Sequence, residues 1–214
     1  MKNKYLPILI VLFMIINLNF SCDKGTNYDN YDTNNTDVIV GTGELVEQTI
    51  NLNSFTKISL IGQSNISITK GDTQVIKLRA QQNILDVMTH EVSNNNFTVG
   101  FDDKHKIKTS KGVFVDIITP SIIADVTISG SGKIKTYKGQ QETFNITISG
   151  SANVDAFDLS VDKCSVVISG SGNCSVYANK ELNIAISGSG NVSYKGHPDI
   201  SQNITGSGNV RNAN

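Results

Sequence analysis

Ile168-Ser169-Gly170-Ser171-Gly172-Asn173-Cys174 decides the fold, because the chain repeats it. Four near-copies share the pattern: Ile128-Ser-Gly-Ser-Gly-Lys-Ile134, Ile148-Ser-Gly-Ser-Ala-Asn-Val154, Ile186-Ser-Gly-Ser-Gly-Asn-Val192 and Ile204-Thr-Gly-Ser-Gly-Asn-Val210. The leading Ile recurs after 20, 20, 18 and 18 residues. A fixed period near 20 marks an architecture of stacked repeats.

Each copy is numbered here from its leading Ile as position zero. Position −4 carries Ala124, Phe144, Cys164, Leu182 and Ile200, and position −2 carries Val126, Ile146, Val166, Ile184 and Gln202. Position +6 carries Ile134, Val154, Cys174, Val192 and Val210, with polar or small residues between. Apolar alternation at period two, rich in β-branched residues, predicts strands buried on one face. Each repeat thus reads as a strand, a Ser-Gly-Ser-Gly-Asn corner and a second strand. One such rung cannot bury its own apolar face, so stability requires stacking at the inter-strand spacing of about 4.8 Å. The expectation is an all-β, right-handed β-solenoid with two main sheets, ~18–20 residues per rung and Gly-Ser-Gly corners.

The corners carry their own signal. Gly130, Gly150, Gly170, Gly188 and Gly206 hold position +2 in all five copies, and Gly62 holds it in a degraded earlier copy. That position is predicted to need positive φ or very close backbone approach. Position +4 becomes Ala152 once, so it is expected to tolerate a Cβ. Asn153, Asn173, Asn191 and Asn209 fall in one column, which predicts a ladder of side-chain hydrogen bonds between rungs.

Outward from the repeats, residues 1–21 read as a leader: Lys2 and Lys4, an apolar run from Leu6 to Ile16, then Ser21-Cys22. A cysteine at the cleavage position makes this a lipoprotein signal peptide, with Cys22 the lipidation site and the membrane the first partner. Residues 22–38 are rich in Asn, Asp and Thr and lack apolar periodicity, so they read as a flexible tether. Residues 39–214 form a single solenoid domain, less regular over 39–120 and regular over 121–214. Within the first part, Asp102–Gly112 reads as a charged loop. Without Lys2 and Lys4 there are 16 basic and 19 acidic groups, a balance that argues against a nucleic-acid partner.

The Gly-Ser-Gly corners, the opening Ile58-Ser-Leu-Ile-Gly62 with Asn65-Ile-Ser-Ile68, and the approach Val115-Asp-Ile-Ile-Thr-Pro120 resemble the auto-transporter adhesin, head GIN domain family. The resemblance covers roughly residues 40–214. It implies an exported Gram-negative protein with a β-helical fold and a role in cell adhesion. It brings no catalytic set and no functional residues to carry over.

The residues themselves agree with a non-enzymatic reading. A β-helical glycosidase or lyase needs carboxylates converging on one face. The outward column +7 runs Lys135, Asp155, Ser175, Ser193, Arg211, and no column stacks two acids. Lys135 and Asp155 read as an ion pair between rungs. Neutral Asn and Ser corners make poor ligands for calcium, so neither metal nor cofactor is expected. His90, His105 and His197 are scattered. Cys164 and Cys174 are offset around the corner, out of disulfide reach, and read as small buried hydrophobes. Lys104-His-Lys-Ile-Lys108 with Lys111 is a basic segment that reads as solvated, with anionic lipid or polysaccharide as the alternative contact.

Position +9 leaves two placements open for Tyr137, Phe157 and Tyr177. Strict alternation points them outward as a candidate interface stripe. A second corner after +8 swings them inward to fill the end of the core. The functional expectation is an exported, lipid-anchored surface-interaction module. It would sit at the outer membrane or cell surface of a Gram-negative cell, with a host or cell-surface protein or glycan as partner. The alternatives are an envelope module without an external ligand and, last, a polysaccharide-acting enzyme.

Overall fold

The computed structural model describes residues 37–214, so the leader, Cys22 and the tether as far as residue 36 lie outside the described residues. The chain runs β1 (Asp37–Val40), β2 (Leu45–Ile50), β3 (Lys57–Gly62), β4 (Asn65–Lys70), β5 (Val75–Gln81), the single helical turn α1 (Gln82–Leu85), β6 (Thr89–Ser93), β7 (Asn96–Gly100), β8 (His105–Lys108) and β9 (Phe114–Thr119). It continues through β10 (Asp125–Gly130), β11 (Lys133–Lys135), β12 (Gly139–Gly150), β13 (Asn153–Gly170), β14 (Asn173–Gly188), β15 (Asn191–Lys195), β16 (Asp199–Gly206) and β17 (Asn209–Asn212).

The fold is all-β. Fifteen strands form one strongly curled sheet, and β1 pairs with β8 as a separate parallel ribbon. Like positions of successive copies are register partners: Ile128 with Ile148, Ile148 with Ile168, and Ile168 with Ile186, all parallel. The position −2 and position zero columns are buried from Val126 to Ile186, as the period-two pattern predicts. The curl passes through the long strands. Residues 153–155 of β13 pair with β11, while residues 159–170 pair with β12. A single strand of 18 residues thus serves both sides of the core, where the period predicted two separate sheets.

The irregular half departs from sequential stacking. β3 lies between β7 and β10, and β4 lies between β9 and β11. The earliest copy, 57–70, is therefore flanked by both of the next two. The reason is visible at the far side. There β6 pairs antiparallel with β7, and β5 pairs antiparallel with β9 and with β2. These strands occupy the outer edges, so the chain returns across the first copy to continue the stack. Lys70 fixes that return: its ammonium donates to the carbonyls of Pro120 (3.0 Å) and Ser121 (2.8 Å). The Ala124 amide bonds Thr56 O at 2.8 Å, and Ile123 is buried beneath. Two further readings are corrected. The charged loop 102–112 contains β8, and β1 begins at Asp37 within the stretch read as tether.

At the other end β16 and β17 each have one neighbouring strand, β14 and β15. Ile200 there is 40% exposed. Gln202, which takes the place of the buried −2 residue, is also exposed, and so is Arg211. Polar residues on an unpaired edge discourage further strand addition.

At the corners, Gly62, Gly130, Gly150, Gly170, Gly188 and Gly206 all have positive φ, between +96° and +135°. The close approach is as demanding as the torsion. A Cβ on Gly170 would lie 2.4 Å from Gly150 O, the carbonyl that accepts the Ser171 amide at 2.9 Å. Position +4 is tighter than the presence of Ala152 implies. A Cβ on Gly172 would meet Ile148 Cγ2 at 2.6 Å and Ala152 O at 2.8 Å. Gly172 has no positive φ, however, and one of the two obstacles is a side chain that can shift. Gly170→Val is expected to cost about 3 kcal/mol or more, and Gly172→Ala about 1–2 kcal/mol. Equal midpoints for the two variants in urea unfolding would contradict this account of the corner.

Candidate functional site

The second strand of each copy turns alternate side chains to solvent, and the register lines them up. One outward column runs Phe114, Asn65, Lys133, Asn153, Asn173, Asn191. Beside it runs Asp116, Ser67, Lys135, Asp155, Ser175, Ser193, Arg211. As far as Asn173 and Ser175 they floor a groove of about 550 Å³. Short Ser and Asn side chains form its bed. Phe114 and Asp116 stand at one end, held by Arg79 of β5, whose guanidinium lies 4.7 Å from the Phe114 ring centre and 3.9 Å from Asp116 Oδ2. A guanidinium over an aromatic face is an attractive contact, and here it leaves Phe114 half-buried along the groove.

Phe114, Asp116 and Arg79 escaped the sequence reading. The signal was present: Val115 aligns with Ile66, which puts Phe114 and Asp116 at the outward positions of Asn65 and Ser67. It was hidden because β9 stacks against β4 from the far side and not in chain order. The column therefore does contain two acids, Asp116 and Asp155. Ser67 and Lys135 stand between them, which places the carboxylates roughly 14 Å apart at the usual inter-strand spacing. Paired glycosidase carboxylates stand about 5–9.5 Å apart.

Lys135 and Asp155 are register partners, yet no ion pair joins them among the described residues. Asp155 Oδ1 instead accepts from the Phe157 amide at 3.4 Å. Lys133 and Lys135 line the groove, and neither has an ion-pair partner among the described residues. The corner amides form a ladder along one wall: Asn173 Nδ2 donates to Asn153 Oδ1 (3.0 Å) and Asn191 Nδ2 to Asn173 Oδ1 (2.9 Å). Asn209 does not join it.

The position +9 aromatics do not form a stripe. Tyr137 is 6% exposed and its hydroxyl donates to Gln141 Oε1 at 2.6 Å. Phe157 and Tyr177 are half-buried. A register shift in β13 sets Tyr177 opposite Ser160, so Phe157 bulges out of line, with Lys195 Nζ 4.6 Å from its ring centre. His105 is not isolated, since its Nδ1 lies 2.6 Å from Asp102 Oδ1. Among the described residues no three His, Cys, Asp or Glu side chains cluster as metal ligands.

Cys164 and Cys174 are free and buried. Burial pushes the Cys164 thiol up to about 12. Burial, with the nearby Cys164 and Asp155, raises the Cys174 thiol well above its ordinary value. Nucleophilic thiols need the opposite environment.

The family described as "Putative auto-transporter adhesin, head GIN domain" matches residues 54–137 and 123–198. A "putative adhesin" of Bacteroides fragilis NCTC 9343 has a similar structure, with a TM-score of 0.56 at 18% identity, covering 81% of this chain and 99% of its own. A "Putative lipid binding protein" of Parabacteroides distasonis ATCC 8503 gives a TM-score of 0.49 at 18% identity, over 83% of this chain and 100% of its own. No curated protein matches the sequence.

The core thiols make a pH prediction. The folded state holds these protons to higher pH than the unfolded chain, whose thiols ionise near 9.0. Their contribution to stability is complete below about pH 9 and is lost as the pH rises toward 12. Urea midpoints should fall across that window, and less steeply when both are replaced by Ala. Alkylation of Cys164 or Cys174 in the native protein at pH 8 would show that the thiols are open.

Proposed function

Because the chain belongs to the auto-transporter adhesin, head GIN domain family, we propose that it is an exported surface-interaction module, anchored in the outer membrane through a lipidated Cys22. We further read its curled sheet as a short right-handed β-solenoid. The register of like positions 18 or 20 residues apart supports that reading.

The groove over β9, β4, β11 and β13 is the contact surface. The observation that carries this is its lining: a half-buried aromatic ring at one end, then amides, hydroxyls and two lysines without an ion-pair partner among the described residues along the bed. An aromatic face accepts the apolar side of a sugar ring. Amides, hydroxyls and ammonium groups bond its hydroxyls or acidic substituents. The ligand is a cell-surface glycan. Because backbone pairing and the inward columns carry the fold, the groove residues are free to serve recognition.

Two measurements test the reading. Cys22→Ala should move the protein from the membrane fraction to the soluble fraction, and continued membrane attachment rejects the anchor. Binding of the chain to a glycan array should fall about ten-fold in Lys135→Ala while the melting temperature stays put. Array binding that ignores Lys135→Ala, or no binding to any glycan, rejects the groove.

A further inference from the structure

The β1–β8 ribbon has two unlike faces. Ile39 and Ile107 turn inward and pack against the core. The ribbon is fastened from that side: Asn83 Nδ2 donates to Val40 O (2.7 Å) and Gln63 Nε2 to Ile107 O (2.7 Å). On the outer face the parallel register sets Val38 beside Lys106 and Val40 beside Lys108. Val38 is 47% exposed and Val40 57%, and both lysines are exposed. Neither lysine has an ion-pair partner among the described residues. Lys104, one step further along the same alternation, is exposed as well. The nearby acids are mostly engaged or on the other side. Asp102 bonds His105 and Glu44 bonds Lys111; Asp37 lies opposite His105 in register, on the alternation of Ile39, and it and Asp103 are exposed.

We propose that this face seats the domain on an anionic membrane surface. Two exposed valines, each beside a lysine with no ion-pair partner among the described residues, are the pairing that an interface of acyl chains and charged headgroups selects. The valines enter the boundary region and the lysines meet the headgroups. Chain position names the occupant. β1 is the first described strand, and only residues 23–36 separate it from Cys22. That length spans at most roughly 50 Å when fully extended. The ribbon is thus the part of the domain nearest in sequence to the anchor. The proposal rests on the reading that Cys22 holds the chain on lipid. It assigns the basic segment a function separate from the groove, so the domain has one surface for the membrane and another for its ligand.

The test uses the full chain reconstituted in vesicles of neutral lipid or of neutral lipid with 30% anionic lipid. Hydrogen exchange is followed in peptides covering 37–41 and 104–109, and the mass of the residue-22 peptide reports its lipid separately. Exchange of those peptides should slow several-fold on anionic vesicles only. It should recover in 0.5 M salt and in the double variant Lys106→Gln/Lys108→Gln, each lysine being worth about a five-fold change in partition. Val38→Ser/Val40→Ser should weaken the protection on anionic vesicles at low salt, with both lysines in place. Equal exchange on the two vesicles overturns the proposal whether or not Cys22 carries lipid. Protection by soluble dextran sulfate but not by vesicles also overturns it, and gives the ribbon to a polyanion in solution. Protection without lipid on Cys22 retains the docking surface and removes the anchor.

Discussion

The carbonyl oxygen of one corner glycine sits where the next corner would place a Cβ. This contact sets the terms for the stack. Gly62 O faces Gly130, Gly130 O faces Gly150, Gly150 O faces Gly170, and so on to Gly206, at 2.3–2.4 Å from each ideal Cβ position. The same carbonyls accept the amides of Ser131, Ser151, Ser171 and Ser189 at 2.9 Å. Removing the Cβ lets the corners stack at hydrogen-bonding distance, so that four of these carbonyls find a partner in the next corner. A larger residue would push one corner away from the next and break the ladder on both sides of the core. Position +4 obeys a looser form of the same rule. In stacking order it reads Ser64, Gly132, Ala152, Gly172, Gly190, Gly208. Each residue that bears a Cβ is followed by a glycine, so two side chains never meet across one spacing.

A ladder of this kind propagates in both directions, and the chain needs a way to stop it. The irregular half does so by abandoning parallel pairing. β6 and β5 lie antiparallel on the outer edges of β7 and β9, and β2 covers β5 in turn. Antiparallel closure explains the reordered stack, since the chain that has built its own cap must cross back to extend the other side. Lys70 ties that crossing. It bonds two carbonyls of the returning segment and lies 4.8 Å from the Tyr137 ring centre, and partial desolvation there lowers its pKa.

What could be read from the sequence divides along the same line. The regular half was legible because its apolar residues, glycines and asparagines recur at fixed offsets. Register there follows from burial alone, as a one-residue slip would expose every inward side chain. The reordered stack was not legible. Period-two alternation fixes which face of β7 or β9 is buried, and it says nothing about which strand lies beside it. The missed groove residues follow directly. Phe114, Asp116 and Arg79 belong to the strands whose neighbours the alternation could not assign. Tyr137 lies between β11 and β12, where the chain leaves the strand, and takes the inward of the two placements left open, while the unlike placement of Phe157 follows a shift of β13 against β14 that alternation does not mark. β8 was read as a loop because its apolar content is a single residue, Ile107. Its partner β1 lies 68 residues earlier and supplies the only strand pairing it has among the described residues.

This division of labour explains how one scaffold accommodates different surface chemistry. Stability is vested in backbone ladders, corner glycines and inward columns, all of which are indifferent to the outward side chains. Lys135 can face Asp155 without an ion pair because the strand pairing beneath already fixes their separation, and an exposed pair would add little. The groove is therefore a set of addresses on a ruler whose spacing is the inter-strand distance. A ligand with its own regular repeat meets such a surface more readily than a compact one does, since successive units find equivalent amides and hydroxyls at equal steps. The half-buried Phe114 breaks that equivalence at one end of the groove. The groove accordingly has a direction, with its aromatic end beside the antiparallel cap and its amide ladder running toward the open end of the sheet.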